Sequence, residues 1–480
     1  MSAAFRQRIH SALADQQVQE ALAAFAGRLM RERRSSVGQE EFPEYQELRA
    51  QANLIKRHTM ENLDHYLEIL CRKVEEHGGQ VAWCRDAGEA QAFIGQLARE
   101  RGVRLAVKSK SMTSEEIGLN EALEHYGVEA TETDFGEFIV QLARERPFHI
   151  VAPALHKNRR QVAALLSEKL GVAQEEEIPK QTAIARGVLR KKFLEARMGI
   201  SGANFLVAES GAVVIVENEG NARFTTSAPR IHVAVAGIEK VIPRAADLAV
   251  FLKLLGRSAT GQPLTSYTSF LAGPRRPGEM DGPDEFFLVL LDNGRSRILA
   301  DRDKRQTLYC IRCGACLNVC PVYRKIGGYS YPGTYSGPIG AILTPQLSGI
   351  TYEPELPFAS SLCGACAEVC PVKIDIPKIL VELRSELRKA ERRESRGGFG
   401  VQAAGWERIA FAVWAWLMRR PRLFELAGSA AQVLLPADRD GGWIRSLPGP
   451  LQAWTRWRDF PPPAAHSFRQ LWRQQRRRRD

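Results

Sequence analysis

A chain of 480 residues that is 44% hydrophobic can bury two or three cores, which excludes an intrinsically disordered protein. Its longest apolar run, residues 409–418, is ten residues, whereas a bilayer-spanning helix takes roughly 20, and no apolar leader is visible, so a cytoplasmic protein is expected. The net charge of +12 is uneven: from Glu391 onward 17 arginines stand against 8 acidic residues, a local net of +9.

Residues 1–70 place apolar side chains such as Phe5, Ile9 and Leu13 at helical spacing among many charges and read as a helical lead-in. Across 71–300, apolar β-rich segments at 104–107, 149–153, 205–208, 212–216, 232–235 and 286–291 are separated by helical ones such as 114–125 and 158–170. That alternation predicts an α/β domain around a buried sheet. The segments 205–208 and 212–216, joined through Glu209-Ser210-Gly211, predict a hairpin, so the sheet is expected to be mixed. Residues 301–395 hold seven of the nine cysteines. Between the two groups of cysteines, the Gly-, Pro- and Tyr-rich stretch 327–345 reads as a wrapping loop with little regular structure. Ile376, Ile379, Leu383 and Leu387 then recur on one helix face, and Arg396-Gly397-Gly398 marks a linker to a basic, Trp-rich appendage, 396–480.

Cysteines crowded in this way in a cytosolic chain indicate metal and not disulfides. Cys310, Cys313, Cys316 and Cys320-Pro321 spell CxxCxxCxxxCP, the spacing that bacterial ferredoxins use for 4Fe-4S clusters. The two-residue gaps let three thiolates converge on one cubane, while the fourth cysteine turns toward a neighbouring cluster. A second copy follows fifty residues on: CGACLNVCPV from Cys313 and CGACAEVCPV from Cys363 agree at eight of ten positions. By the cross-over rule the first cluster takes Cys310, Cys313, Cys316 and Cys370, and the second takes Cys320, Cys363 and Cys366. The counterpart of Cys310 is Ser360. Three outcomes are open for the second site: a 4Fe-4S cluster with Ser360, another oxygen or solvent on the fourth iron, a 3Fe-4S cluster, or an iron awaiting a partner's ligand. Fewer thiolates leave less negative charge, so the second cluster is expected at the higher potential. Zinc fits poorly, since seven cysteines do not divide into two four-cysteine sites. Arg312, Arg324, Lys325 and Lys373 could offset cluster charge or be solvated surface.

Together with these motifs, Lys108-Ser-Lys-Ser-Met112, Ser114-Glu-Glu-Ile117, residues 202–211 (GANFLVAESG) and residues 327–345 resemble the iron-sulfur protein B family of the bacterial lactate-utilisation system, over nearly the whole chain. The serine in place of a cysteine belongs to the family pattern. The resemblance implies an α/β lactate-utilisation domain with a fold similar to sugar-phosphate isomerases and CoA transferases, then an all-α dicluster ferredoxin domain. It also implies an electron carrier in oxidation of L-lactate to pyruvate, working with two companions, one rich in cysteine-containing repeats and one mainly a lactate-utilisation domain. The 42 residues between Cys320 and Cys363 suit the helical ferredoxin type better than a compact one.

Outside the clusters, Lys108, Ser109, Lys110 and Ser111 follow a predicted strand and precede a helix, where amides and lysines can hold a carboxylate or phosphate; a solvated turn is the competing reading. His156 and Glu209 suit capping or surface roles. No dinucleotide fingerprint, P-loop or nucleophile elbow is present. Trp406, Trp414, Trp416, Trp454, Trp457 and Trp472 mixed with arginines suit docking on protein or on an anionic membrane surface more than nucleic acid. Three functions remain: an electron-transfer subunit, an intrinsically catalytic hydroxyacid oxidoreductase whose clusters are its own acceptor, and a cluster-based redox sensor.

Overall fold

The computed structural model describes residues 3–394, 405–434, 442–447, 449, 452–455 and 459–477. Glu285–Leu291 and Ile231–Gly237 are almost continuously apolar and lie buried on both faces, the pattern of central strands in a parallel sheet. In chain order the strands are β1 Gln80–Cys84, β2 Leu105–Lys108, β3 Glu129–Glu132, β4 Met198–Ser201, β5 Phe205–Val207, β6 Ala212–Glu217, β7 Ile231–Gly237, β8 Val241–Ile242, β9 Tyr267–Leu271 and β10 Glu285–Leu291. Six form one sheet in the order β1-β10-β7-β4-β2-β3, every pairing parallel. Its period-two alternation splits the core. Phe287, Val289 and Leu291 face the helices Ala87–Glu100 and Leu119–His125, while Phe286, Leu288 and Leu290 join a larger core on the other side.

The predicted hairpin is real, β5 against β6 with Phe205 opposite Val214, but it founds a second sheet of four strands, β8-β5-β6-β9, instead of joining the first. Mixed pairing is confined to this second sheet, where β5 runs parallel to β8 and antiparallel to β6. Residues 149–153 form no strand. His149 turns its Nδ1 to accept from the amides of Val151 and Ala152 (3.0 and 3.3 Å), which diverts backbone donors from a ladder and makes a turn. The helix expected over 114–125 is two, Met112–Glu116 and Leu119–His125, broken at Gly118 with φ +58°.

The larger core is shared by the N-terminal helices, the second sheet and the cysteine segment, so that residues 1–390 make one compact unit. The lead-in is four helices, Ala3–Ala14, Gln16–Ser36, Tyr45–Glu61 and Leu63–Glu76. The cysteine segment contains only helices and turns among the described residues. Half of the expected loop 327–345 is helical: Gly337–Ser348 is buried along most of its length despite Pro338 and Pro345. Pro338 sits in the first turn, where an amide would lack a partner anyway.

Residues 391–480 make a second unit, containing the helices Gly405–Met418, Pro421–Leu434 and Phe468–Arg477. Within it Glu425 binds Arg473 (2.9 Å) and Arg469 (3.6 Å), and Arg420 lies 3.9 Å from the Trp416 ring centroid. The expected linker at 396–398, Trp457, Arg478 and Arg479 lie outside the described residues, as do the side chains of Trp406 and Trp454.

Gly199 of β4 permits the closest approach in the α/β region. A Cβ there would fall 1.8 Å from the carbonyl oxygen of Thr225, in the helix Asn221–Ser227. Gly199→Ala is expected to cost about 1–3 kcal/mol or more by overpacking. Gly187→Ala, on an exposed helix position with nothing within 4 Å, should add about 0.5–1 kcal/mol. Urea unfolding of both variants checks the pair, and equal midpoints would contradict this account.

Candidate iron-sulfur centre and adjoining cleft

The two cysteine motifs repeat in backbone as well as in sequence. Arg312 and Leu362 occupy equivalent positions and both take the left-handed conformation, φ +60° and +55°; Gly314 and Gly364 follow at +75° and +84°. Each motif then makes one helical turn, Ala315–Val319 or Ala365–Val369, and ends on an extended cysteine, Cys320 or Cys370, before its proline. Non-glycine residues held at positive φ store strain, and both loops carry it where the thiols must converge.

The fold brings the seven thiols into two adjoining groups. Cys310, Cys313, Cys316 and Cys370 line one small cavity with Ile150 and Ile339, so the last cysteine of the second motif joins the first three of the first. Burial, and then Cys310, Cys313, Cys366 and Cys370, push the Cys316 thiol well above its ordinary range. Burial likewise pushes Cys313 up to about 12 and Cys370 to about 11. In the other group burial and Cys320 push Cys366 up to about 12, and Cys320 in turn is raised by burial and by Cys363. Cys363 is exposed, and its thiol is lowered by the Ala365 amide. Packed thiols resist ionising together unless a cation arrives, and binding a soft metal is what removes their protons. The donor set also fits iron and sulfide through amides aimed at sulfur, from Arg312 to Cys310, Tyr323 to Cys320 and Ile374 to Cys370, each at 3.4 Å.

Ser360 keeps the geometry of the cysteine it replaces. Its Oγ accepts from the Leu362 amide at 3.1 Å, just as Cys310 Sγ accepts from Arg312 two residues on. Cys71 and Cys84 belong to neither group.

Helices far away in sequence fasten the second motif. Arg49 donates to the carbonyls of Cys370 (2.8 and 2.9 Å) and Glu368 (2.6 Å), Asn53 to that of Val372 (2.8 Å) and Arg33 to that of Val369 (3.2 Å). The first motif is fastened by charge. Arg312 is buried, with its guanidinium 4.7 Å from the Tyr335 ring centroid and 3.2 Å from Glu239. Glu239 also accepts from Arg295 (2.5 Å), which forks onto Glu116 (2.8 Å twice); Tyr335 donates to Glu116 at 2.6 Å. Burial would push the Glu239 carboxyl up, yet Arg295 and Arg312 hold it down to about 2. Of the four cations considered near the motifs, Arg312 is structural, Arg324 is half-buried, and Lys325 and Lys373 are exposed surface. Glu239 and Arg295 were not singled out from the sequence. Glu239-Lys240 inside the apolar run 231–242 is the signal that was there.

Beside the first thiol group lies a cleft of about 400 Å³ at the carboxyl ends of β2, β3 and β4. Ser109, Lys110 and Ser111 line it, with Asn204, Lys240 and Cys313. Lys108, from the same predicted anion loop, points elsewhere: it is buried against Glu132 (2.6 Å) and Glu115 (2.9 Å). Lys110 pairs with Asp134 at 3.1 Å. His156 binds Glu145 (2.6 Å) and Glu209 accepts from the Ala245 amide (2.9 Å), and neither residue lines the cleft.

Three family models match the chain. Residues 67–291 match the LUD domain, 306–374 the 4Fe-4S dicluster domain and 382–477 the C-terminal region of Lactate utilisation protein B. The chain is 43% identical over 475 residues to Lactate utilization protein B of Bacillus licheniformis, covering 99% of this chain and 97% of that one. It is 43% identical over 478 residues to the Macrococcus caseolyticus protein of that name (99% and 98%) and 41% identical over 467 residues to that of Bacillus subtilis (97% and 95%). Among solved structures, a DUF162 family protein from Deinococcus radiodurans covers 48% of this chain and 98% of its own, at 10% identity and a TM-score of 0.27.

The buried charges give the site a stability test. Glu239→Gln leaves Arg295 and Arg312 sharing a neutral amide in the interior. Breaking a buried pair from one side costs about 3–5 kcal/mol, so the urea midpoint is expected to fall sharply, and an unchanged midpoint would mean the ion chain does not hold the loop.

Proposed function

The chain belongs to the Lactate utilization protein B family, and on that premise we propose that it is an electron-transfer subunit in the oxidation of L-lactate to pyruvate. Its role in lactate utilisation and its 4Fe-4S dicluster domain follow from the family; the carrier role is our reading. In it, Cys310, Cys313, Cys316 and Cys370 hold the first cluster, and Cys320, Cys363 and Cys366 hold the second with Ser360 Oγ beside them. The observation that carries this reading is the exchange of Cys370 into the cavity of the first motif. When bound, such clusters accept and release single electrons, so two can divide the pair that leaves a hydroxyacid.

Companion subunits, a cysteine-rich-repeat protein and a lactate-utilisation-domain protein, would supply and take the electrons. The exposed loop at Leu362-Cys363 is where the second cluster comes nearest to solvent and to a partner. A catalytic reading has one observation in its favour, the contact of the cleft with Cys313. In the second unit, Ile409, Phe411 and Trp414 are more than half exposed and Arg419 and Arg420 follow them. This composition suits the surface of an anionic membrane, and no described helix is long and apolar enough to cross one.

Anaerobically purified full-length chain is expected to carry about eight iron and eight sulfide for two cubanes. Ser360→Cys should change the EPR signal of one cluster only, and Cys363→Ser should remove that same signal. L-lactate turnover by the isolated chain with an artificial acceptor would replace the carrier reading by the catalytic one. For the appendage, co-sedimentation with vesicles containing phosphatidylserine but not with neutral ones, lost at high salt, is the expected result; equal recovery with both would remove the membrane contact.

A further inference from the structure

Four tyrosines, at 323, 329, 331 and 335, follow the first cysteine motif, and three of them have committed hydroxyls. Tyr323 donates to the Phe148 carbonyl (3.0 Å), Tyr329 to that of Arg146 (2.8 Å) and Tyr335 to Glu116 (2.6 Å). Tyr331 differs. Its side chain is fully buried, and its hydroxyl has no hydrogen-bond partner among the described residues. A buried hydroxyl without an acceptor costs its whole desolvation, which a phenylalanine of the same shape would not.

The backbone holds the ring where it is. The Tyr331 amide donates to the Gly328 carbonyl (3.0 Å), Arg8 holds the carbonyl of Ser330 (3.2 Å) and Arg146 that of Pro332 (2.6 Å). Gly328 lies so close to Phe148 that a Cβ would stand 1.8 Å from its carbonyl oxygen. The ring packs beside Tyr323, with centroids 6.1 Å apart, and the Tyr323 amide is the one that donates to Cys320 Sγ. Burial, and then Cys320, Tyr323 and Cys316, push the Tyr331 hydroxyl well above the ordinary tyrosine range, so it keeps its proton and serves as a donor. Cys320, of the second thiol group, acts on it more strongly than Cys316 of the first, yet neither thiol is its hydrogen-bond partner.

A group that brings its own acceptors answers this donor, and the sulfurs of an iron-sulfur cluster accept hydrogen bonds that help set its potential. We propose that Tyr331 donates its hydroxyl hydrogen bond to a sulfide of the second cluster and thereby raises the potential of that cluster, because a donor favours the state carrying one more electron. The inference rests on the assignment of Cys320, Cys363 and Cys366 to the second cluster. Cys363 opens that site to solvent, while Tyr331 supplies a donor from the interior.

The test uses the full-length holoprotein, in which Ser360→Cys identifies the EPR signal of the second cluster. After exchange into D₂O, ENDOR on that signal is expected to show a coupled deuteron that Tyr331→Phe removes. Redox titration of Tyr331→Phe should lower the reduction equilibrium constant of the second cluster by about threefold or more, which is about 30 mV for one electron, with the first cluster and the iron content unchanged. Tyr329→Phe, whose hydroxyl is committed elsewhere, should alter neither the coupling nor the potential. A tyrosine with a purely structural role would change the melting temperature and leave both readouts as they were. A second-cluster signal without an exchangeable deuteron in the unsubstituted chain overturns the proposal before any variant is made. An unchanged or raised potential in Tyr331→Phe, or an equal shift in Tyr329→Phe, overturns it as well. Two clusters that assemble and titrate normally alongside such results leave the carrier reading standing, whereas a chain that takes up zinc or only one cluster removes the cluster assignment and this inference together.

Discussion

Four charges in a row, Glu116–Arg295–Glu239–Arg312, bind the cysteine segment to the α/β core. Glu116 ends the helix after β2, Glu239 follows β7 and Arg295 opens the helix after β10, so three parallel strands deliver one group each to a common point at their carboxyl ends. Arg312 comes from the first metal-binding loop. The row is neutral as a whole and every member faces an opposite charge, which is the condition under which buried ions offset their desolvation. Without Glu239 the residue that the loop holds at φ +60° would keep the Tyr335 ring but lose its carboxylate anchor. The strained conformation that aims Cys310 and Cys313 is therefore maintained from the sheet.

What the sequence discloses follows from how local each requirement is. The motifs are legible because cysteine, proline and glycine record the needs of neighbouring backbone, down to the paired positive φ at Gly314 and Gly364. The central strands β7 and β10 are legible because both their faces are buried. β3 and β4 are not: β3 carries Glu129 and Glu132, and β4 contains Gly199. Glu132 is tolerated in a strand because Lys108 neutralises it from β2 at 2.6 Å, and Gly199 is required by a helix passing over it. Neither partner is near in sequence. The same holds for Arg295 and Glu116, 179 residues apart. Charged residues in an apolar run read as surface until the partner is known.

Residues 327–345 illustrate the opposite error. Glycine and proline marked them as irregular, yet the turn of helix from Gly337 packs against Leu317 and Tyr323, and a Cβ at Gly337 would lie 2.6 Å from Leu317. Tertiary burial outweighs the poor propensity. The segment also supplies Tyr335, which holds Glu116 through its hydroxyl and Arg312 through its ring. Composition recorded the close packing there, not an absence of structure.

The repeat is equal in backbone and unequal in setting, and the carrier reading gives that inequality a direction. Cys313 belongs to both the cleft and the first cavity, Cys316 is felt by Cys366 across the groups, and Cys363 is exposed. The order is therefore cleft, first group, second group, solvent. An electron adds negative charge to a cluster, which the apolar wall of Ile150, Ile339 and Ile374 opposes and which the Arg312 guanidinium at the first group and water at the second favour. Exchange of one thiolate for Ser360 removes negative charge in the second group if the serine stays protonated, and acts in the same sense as exposure. In that reading exposure and the serine would both place the lower potential beside the cleft, with the Arg312 charge acting against them, and electrons entering there would run downhill to the surface loop. If Ser360 instead binds iron as an alkoxide, the charge argument vanishes and exposure alone must set the order, which makes the proton on one serine oxygen the quantity that decides how steep the gradient is.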